Sequence, residues 1–556
     1  MSAPGWPTRP GRWWPVALFG IGSASAAFTL WQNLHIAVLV DMAYFVNVAT
    51  RIAAGDAPYV DFPMAQAPLS FVTQALLIKV FGPSYPAQIA YSAMLGGIAT
   101  ALTCRLARRI LDGAVAAPGA LAVVLTVPLV PLGIYAIYPH PFYDPDACLV
   151  ILAAITAIFA ARDRPTPARW ILAGALLTIP LFVKQNIGGA FLVVSIVALA
   201  ADALPKAAAR PGLRWCIAGV GGALAVELVI LQLIVGIDSY VRWAWVFALS
   251  YRGLPADRLG AFVDLRVIWP GLLIILLVIA SERLRPDARG ALFLTGLLVP
   301  VIGLAMVPAL TPAAPELFPP VLIAASVLAL RPVMRDGPTL ESLLPFILTA
   351  TTAGALMSQG LGGSTFGIFP LLVLAIASLV RLLSRAVVRP VRVASMTGVV
   401  LSVLLVLLGT PYALTNARLR YIDVDAPGEV TRSSFPSLMG LSARGPYIAD
   451  LDAVLFWARD NVRPDEPMVF LPGEDPAYFA LGHPPQLPSI YFYDVGLPYS
   501  PSEMAAIASK IGLRWVFVKD RLQLRDEPPL NQAIIAALTE RATLVAQVSA
   551  YRVYRR

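Results

Sequence analysis

Apolar stretches recur along the first three quarters of the chain and are separated by short polar loops. Most of them are about 17 to 25 residues long, the length that an α-helix needs to cross a bilayer. We count about thirteen, the first at residues 15–38 and the last ending near Pro411. The pattern predicts a polytopic α-helical membrane protein whose membrane module occupies residues 1–411.

One stretch fits this pattern less well than the others. Residues 170–201 divide into two apolar helices of about 15 residues, which would reach only about 22 Å against a hydrocarbon core of about 30 Å. We therefore expect these two helices to be buried, tilted or partly re-entrant.

The tail, residues 412–556, has a different composition, because Asp, Glu, Pro and short strand-like runs replace the long apolar stretches. Ser500 to Glu503 combines an N-cap, a proline at the first helical position and a capping-box Glu. Trp515 to Val518 is a short apolar run typical of a buried strand. Helix and strand patterns alternate, and no phosphate-binding glycine fingerprint follows any strand. We expect a soluble α/β domain.

Composition agrees with a membrane protein, since 58% of the residues are hydrophobic and 13% are charged. The formal net charge of +9 comes from basic residues in alternate loops, as the positive-inside rule requires, and does not indicate nucleic-acid binding. The basic residues that follow the even-numbered spans are Arg105, Arg108, Arg109, Arg162, Arg164, Arg169, Lys206, Arg210, Arg214, Arg283, Arg285, Arg289, Arg331, Arg335, Arg381, Arg385, Arg389 and Arg392. This alternation predicts a cytoplasmic N-terminus and, with an odd number of spans, an extracytoplasmic tail.

The first outer loop, residues 41–86, is the most polar segment before the tail. It begins with helical spacing that brings Asp41, Tyr44 and Arg51 near one stripe, and Gly55 ends the helix. An amphipathic helix in the plane of the membrane interface fits this pattern. Asp41 is either a partly hydrated carboxylate that acts as a general base or simply the N-cap of this helix.

The second outer loop, residues 138–146, faces the same side as the first and supplies two further acids, Asp144 and Asp146. These carboxylates could orient an acceptor hydroxyl or a sugar, or they could be hydrated turn residues beside Pro145. His140 lies between two prolines, where a structural role and a substrate contact are both open.

Two sets of cations lie at or near the outer side. Lys184, at the outer end of a short helix, either lines a cavity and pairs with a carboxylate or a carrier phosphate, or snorkels to the headgroups. The outer loop 238–266 holds Arg242, Arg252 and Arg258 among aromatic residues, against the charge rule. Arg binds phosphate bidentately, so these three are candidates to hold a lipid-linked phosphate. Contact with anionic headgroups is the alternative.

The order of motifs along the chain resembles a known family. The first loop carries Asp41, Tyr44, Ala49, Gly55, Pro58-Tyr59, Asp61-Phe62 and Pro68-Leu69, directly after a first span. With a polar second outer loop, the run Lys184 to Gly188 and an outer α/β tail, this order resembles the GT-C glycosyltransferases. It is most similar to the bacterial branch that resembles protein O-mannosyltransferases and lipid A aminoarabinose transferases. The likeness covers nearly the whole chain.

The resemblance implies an inverting glycosyltransferase that takes a sugar from a polyprenyl-phosphate donor, with Asp41 as the catalytic base. It also implies that a second-loop acid, Asp144 or Asp146, orients the acceptor. The residues expected to bind substrate are Tyr44, Tyr59, Asp61, His140, Lys184 and Gln185. Many relatives carry a second acid beside the first-loop Asp, where this chain has Met42, so a site without a divalent metal or other cofactor is favoured.

Two other classes of protein also need many spans with internal polar groups. A transporter or flippase of lipid-linked sugars is the alternative function, although no repeated half is found and the acids cluster on one face. The other is a non-catalytic scaffold of an envelope assembly.

The expected setting is a bacterial inner membrane, with a lipid-linked sugar donor, a glycan, lipid or protein acceptor and no nucleic acid. The sequence does not name the sugar or the acceptor.

Overall fold

The computed structural model describes residues 11–138, 140–252, 256–283, 314–386, 390–415, 428–492, 498–523 and 531–556. The α-helices before the tail are α1 Trp13–Asn33, α2 Leu39–Ala54, α3 Leu69–Phe81, α4 Tyr85–Leu111, α5 Pro118–Thr126, α6 Leu129–Leu132, α7 Tyr143–Asp163, α8 Pro167–Val183, α9 Gln185–Ala203, α10 Arg210–Ile234, α11 Ile237–Tyr240, α12 Ala248–Arg252, α13 Leu265–Arg283, α14 Phe318–Asp336, α15 Leu340–Ser364, α16 Phe369–Ala386 and α17 Pro390–Leu414.

Helices of membrane-spanning length dominate this part of the chain. Within the described ranges, nine helices are long and apolar enough to cross a membrane, and three shorter apolar helices lie among them. The chain is therefore a polytopic α-helical membrane protein, as predicted. One of the expected spans falls within residues 284–313, which lie outside the described residues, so the count of about thirteen stays a prediction.

α8 and α9 are longer than the sequence pattern suggests. α8 has 17 residues because the Thr166 hydroxyl accepts a hydrogen bond from the Arg169 amide and starts the helix early. α9 has 19 residues. At 1.5 Å per residue the two helices reach about 26 and about 28 Å. Between them the backbone of Lys184 is extended, which separates the two helices by a single residue.

The basic loops meet at one end of the bundle. Arg109 binds Asp163 at 2.7 Å, and Arg162 binds Glu341 at 3.0 Å. Arg162 lies in the last turn of α7, whereas Asp144 lies in its first turn, so these contacts are at the end opposite the second outer loop. The arrangement agrees with the alternation of basic loops. Which end faces the cytoplasm stays a prediction.

The tail is an α/β unit, as predicted. Its elements are β1 Val430–Arg432, β2 Ser442–Arg444, α18 Tyr447–Asn461, β3 Met468–Leu471, α19 Ala477–Leu481, α20 Pro501–Lys510, β4 Trp515–Lys519, α21 Gln532–Thr539, β5 Thr543–Val548 and β6 Tyr551–Arg555. Four strands form a sheet in the order β3-β4-β6-β5, in which β3 and β4 are parallel and the other neighbours are antiparallel. Ser500 and Glu503 form the expected capping box at the start of α20.

α2 lies between the membrane bundle and the tail. Phe45 and Val48 pack into the hydrophobic core of the bundle, whereas Met42, Val46 and Ala49 pack into the core of the tail. All five side chains are at most 1% exposed. The expectation of a helix on the membrane surface is therefore wrong in one respect. The apolar faces of α2 are covered by protein and not by lipid, because the tail supplies a second apolar surface.

Candidate functional site

Asp41 lies in the first turn of α2 and is not its N-cap. The N-cap is Val38, whose backbone is extended and whose side chain makes no capping hydrogen bond. Three residues later, the partly exposed Asp41 carboxylate accepts a hydrogen bond from the Tyr138 hydroxyl. The interpretation of Asp41 as the N-cap is therefore wrong. A negative charge at this position is still favoured by the helix dipole.

Tyr138 comes from the loop between α6 and α7, 97 positions after Asp41. Its ring centre lies 5.2 Å from that of Phe142 and 4.6 Å from that of Phe366, which precedes α16. The start of α2, the second outer loop and the loop before α16 therefore meet at Tyr138. Sequence reasoning placed Tyr138 in the second outer loop but assigned it no role, because its spacing does not distinguish it from the neighbouring aromatic residues.

Asp144 and Lys184 form a buried ion pair whose side chains are 1% and 8% exposed. Asp144 lies in the first turn of α7, and Lys184 joins α8 to α9. The Lys184 ammonium also lies 4.8 Å from the centre of the Tyr143 ring. The interpretations of Asp144 as a hydrated turn residue and of Lys184 as a snorkelling side chain are both wrong. The predicted pairing of Lys184 with a carboxylate is confirmed.

Asp146 is also buried, but it faces different neighbours. Its carboxylate accepts hydrogen bonds from the hydroxyls of Ser70 at 2.6 Å, Tyr91 at 3.1 Å and Tyr135. Residues two apart on a helix differ by about 200° in direction, so Asp146 and Asp144 lie on opposite sides of α7. Within the described residues, no Lys or Arg pairs with Asp146. It joins α3, α4 and the loop before α7, and it is not a hydrated turn residue.

Gln185 joins three segments that line the site. Its Oε1 accepts from the Ala67 amide at 3.1 Å, and its Nε2 donates to the carbonyls of Ala65 and Ala244, each at 2.9 Å. These bonds connect the first outer loop, the start of α9 and the segment 238–266. The amide is thus engaged by protein groups, and its contact with a substrate stays a prediction.

The hydroxyls of Tyr44 and Tyr59 converge on Gln66. Tyr44 donates to the Gln66 side-chain oxygen and Tyr59 to the Gln66 carbonyl, each at 2.6 Å. Tyr44 also stacks on Tyr491 of the tail, with ring centres 4.9 Å apart. The Asp61 carboxylate accepts from a backbone amide four residues earlier, at 2.7 Å. These contacts fix the shape of the first outer loop beside Asp41.

His140 is fully buried beside Tyr138, with ring centres 4.5 Å apart. Its Nδ1 lies 3.1 Å from the Pro141 carbonyl and donates to it. Burial lowers the pKa of His140 to about 4, so the imidazole is neutral near pH 7. In that tautomer Nε2 is an acceptor, and it has no hydrogen-bond partner in the part of the chain that the structure describes. Nε2 is therefore able to accept a hydrogen bond from a hydroxyl group.

The described Arg side chains of the segment 238–266 are exposed or partly exposed. Arg242 is exposed beside Trp243, with the guanidinium 5.3 Å from the ring centre. Arg258 is partly exposed and donates to the Met357 carbonyl of α15 at 3.3 Å. Among the described residues no carboxylate pairs with either. The Arg252 side chain lies outside the described residues.

The metal-ligating residue types are dispersed over the described part of the chain. Across the ranges given above, no group of three or more His, Cys, Asp or Glu lies close enough to hold a metal ion. Met42, at the position of the second acid, is 1% exposed in the core of the tail. Whether a divalent ion takes part stays a prediction.

Neither a protein-family model nor a curated protein matches the chain. In structure it is similar to ArnT from Cupriavidus metallidurans bound to undecaprenyl phosphate, with a TM-score of 0.45, 13% identity and 98% of each chain covered. It is also similar to the Archaeoglobus fulgidus oligosaccharyltransferase in complex with Zn and sulfate, with a TM-score of 0.48, 14% identity, and 92% of this chain and 70% of that chain covered. Both are members of the GT-C superfamily, which the first-loop pattern resembles. Values this low transfer no activity to this chain.

Proposed function

We propose that the chain is a membrane glycosyltransferase that moves a sugar from a polyprenyl-phosphate donor to an envelope acceptor at the extracytoplasmic face, with inversion. The observation that carries the proposal is the meeting of segments that are distant in sequence. The Tyr138 hydroxyl contacts Asp41, and Lys184 contacts Asp144. Asp41, Asp144 and Lys184 are distant in sequence, but they lie in the same region of the fold.

Aromatic rings connect these two contacts into one site. The ring centre of Phe142 lies 5.2 Å from Tyr138 and 4.0 Å from Tyr143, whose ring in turn carries the Lys184 ammonium. Phe45 of α2 lies 5.9 Å from Phe142. The rings of Tyr138, Phe142 and Tyr143 therefore form a continuous series from the Asp41 carboxylate to the Lys184 ammonium. All three rings are buried, and a site lined by buried apolar groups strengthens electrostatic interactions with charge that develops during a reaction.

In the proposed reaction Asp41 accepts the proton of the acceptor hydroxyl while the hydroxyl oxygen attacks the anomeric carbon. The bond between that carbon and the phosphate oxygen breaks, and its electron pair leaves with the polyprenyl phosphate. Attack opposite the leaving group gives inversion. The Tyr138 hydroxyl keeps the Asp41 carboxylate oriented towards the acceptor.

The departing phosphate carries negative charge that nearby cations stabilise. Lys184 supplies one such charge, and Asp144 fixes the position of its ammonium. Arg242 and Arg258 are proposed to hold the phosphate further from the bundle interior, because within the described residues neither is paired with a carboxylate.

Asp41→Asn tests the proposed base, because it keeps the shape of the side chain and removes the proton acceptor. Mass spectrometry of envelope glycans from a deletion strain first identifies the sugar, and purified protein is then titrated with the matching undecaprenyl-phosphate sugar. Loss of a general base typically costs about 10² to 10⁴ in rate, so we expect turnover to fall at least about a hundredfold while donor binding is retained.

The control is Asp460→Asn, at an exposed tail residue whose side chain is 59% exposed, which should transfer sugar at the normal rate. Near-normal turnover in Asp41→Asn would exclude Asp41 as the base and move the search to Asp144 or Asp146. A wild-type protein that moves the lipid-linked sugar across vesicles without transferring it would be a flippase.

A further inference from the structure

The first turn of α2 is capped by a residue of the tail. The Leu39 amide donates to the Gln523 side-chain oxygen at 2.8 Å, and the Gln523 amide nitrogen donates to the Ala37 carbonyl at 3.0 Å. Leu39 is the first residue of α2, and the N-cap residue Val38 provides no capping hydrogen bond. Early amides of a helix lack partners within the helix, and a side-chain oxygen normally satisfies one of them from the N-cap position. Here Gln523 supplies that oxygen from 484 positions away.

A buried ionic network holds Gln523 in place. The Glu474 carboxylate accepts from the Gln523 backbone amide, with distances of 3.0 and 2.9 Å to its two oxygens. The Lys519 ammonium binds Glu474 at 2.6 Å and Asp475 at 2.9 Å, and the Tyr551 hydroxyl donates to Asp475. The side chains of Lys519 and Glu474 are 0% exposed. Charges buried in this way keep a fixed geometry, because separating them would leave one unpaired in the interior.

The middle of α2 is attached to the tail as well. The Asn47 side chain donates to the Asp475 carbonyl at 3.0 Å and accepts from the Phe479 amide at 3.0 Å. The Tyr491 hydroxyl donates to the Val40 carbonyl in the first turn. The tail therefore holds α2 at its start and at its centre, on both sides of Asp41.

We propose that Gln523 is a positioning residue of the active site, acting through the first turn of α2 on the orientation of Asp41. The inference rests on the proposed function, since it assumes that Asp41 is the base. Asp41 is the third residue of α2, within the turn that Gln523 caps. Without the cap this turn frays, and the Asp41 carboxylate leaves the Tyr138 hydroxyl.

Gln523→Ala tests this inference in the purified full-length protein. We expect kcat to fall about five- to tenfold, the size that loss of one helix cap gives, while the KM for the undecaprenyl-phosphate sugar is unchanged. Gln547→Ala is the matched control, because Gln547 is an exposed tail residue. Among the described residues, its side-chain amide contacts only the Ser549 carbonyl. This variant should leave both constants unchanged.

Val38→Thr added to Gln523→Ala provides a rescue. Val38 has the extended backbone of an N-cap residue, and Thr has nearly the shape of Val but carries a hydroxyl that can accept from an early helix amide. The double variant should recover most of the lost kcat. Val38 is 0% exposed, so Val38→Thr alone must first show the wild-type kcat. With that control met, a fall in kcat that Val38→Thr does not restore would assign Gln523 a merely structural role and overturn the inference.

Hydrogen–deuterium exchange followed by mass spectrometry provides a measurement independent of activity. Amides of residues 39–42 should exchange faster in Gln523→Ala, return towards the wild-type rate in the double variant, and leave the strands of the tail protected. Unchanged exchange at residues 39–42 would also overturn the inference. A wild-type protein without transferase activity would refute the proposed function, whereas equal kcat in wild type and Gln523→Ala would refute only the role of Gln523.

Discussion

At the scale of single residues, Asp144 and Lys184 depend on each other because both are buried. Removing one partner of such a pair leaves an uncompensated charge and typically costs about 3 to 5 kcal/mol, whereas apolar replacement of both is often nearly neutral. We expect Lys184→Met and Asp144→Leu each to lower the thermal stability of the detergent-purified protein strongly. The double variant should lose less stability than the two single variants lose together. Additive effects would show that the pair is not coupled.

His140 gives stability a dependence on pH. Its pKa is about 4 in the folded protein against 6.5 as the ordinary value, so below about pH 6.5 the unfolded chain binds a proton that the folded chain does not. The free energy of unfolding should therefore decrease as the pH falls from about 6.5 to about 4, by about 3 kcal/mol in total. His140→Phe, measured by thermal unfolding across this range, should lose that part of the slope. An unchanged slope would contradict a buried neutral imidazole.

The sequence located the charged residues of the site better than it located their partners. Asp41, Asp144 and Lys184 stand out because a charge near an apolar span is costly and therefore conspicuous. Tyr138, Phe366 and Gln523 do not stand out, because aromatic and amide side chains are common in loops and strand ends. Their roles depend on contacts across distances in sequence that no local pattern reveals.

At the scale of elements, the junction of α8 and α9 depends on Gly188. A Cβ atom at this position would lie 2.2 Å from the backbone of Pro180 and Leu181, whereas one at Gly189 would meet only a Leu181 methyl group at 3.7 Å. Gly188→Ala should therefore force the two helices apart and disturb Lys184 between them. We expect the free energy of unfolding to decrease by about 1 to 3 kcal/mol, which is measured as a lower unfolding temperature in detergent.

Gly189→Ala is the matched control and should be neutral or slightly stabilising, because Ala is the better helix former. Equal stability of the two variants would mean that α8 and α9 do not approach as closely as the structure has them. Apolar periodicity predicted both helices, but the contact at Gly188 decides how they meet.

The extent of burial of α2 could not be predicted from its own residues. Its spacing and its end at Gly55 follow from the sequence, and Gly55 indeed has a positive φ of 114°. A helix with apolar residues on more than one side fits a lipid surface and a protein interior equally well. The tail decides between them, because Met42, Val46 and Ala49 pack into its core.

At the scale of the whole molecule, the topology is open to direct measurement. Reporter fusions after Arg109 and Arg164 should score cytoplasmic, because their loops belong to the basic end of the bundle. Fusions near Asp144 and Glu474 should score external, because α2 ties the second outer loop and the tail to the same end. A cytoplasmic score near Glu474 would contradict an odd number of spans. The fusion site Arg285, expected to be cytoplasmic, lies outside the described residues.

The cap that Gln523 places on α2 also bears on how the protein is made. The ribosome synthesises the segment around Asp41 early. Gln523, which caps this segment, follows Leu39 by 484 positions. The first turn of α2 therefore lacks its cap during most of translation and membrane insertion. Only when the tail has folded against α2 does the carboxylate acquire its final surroundings. If the proposed function holds, a truncated or stalled chain would sit in the bilayer without consuming the lipid-linked sugar, so that catalysis would begin only after synthesis is complete.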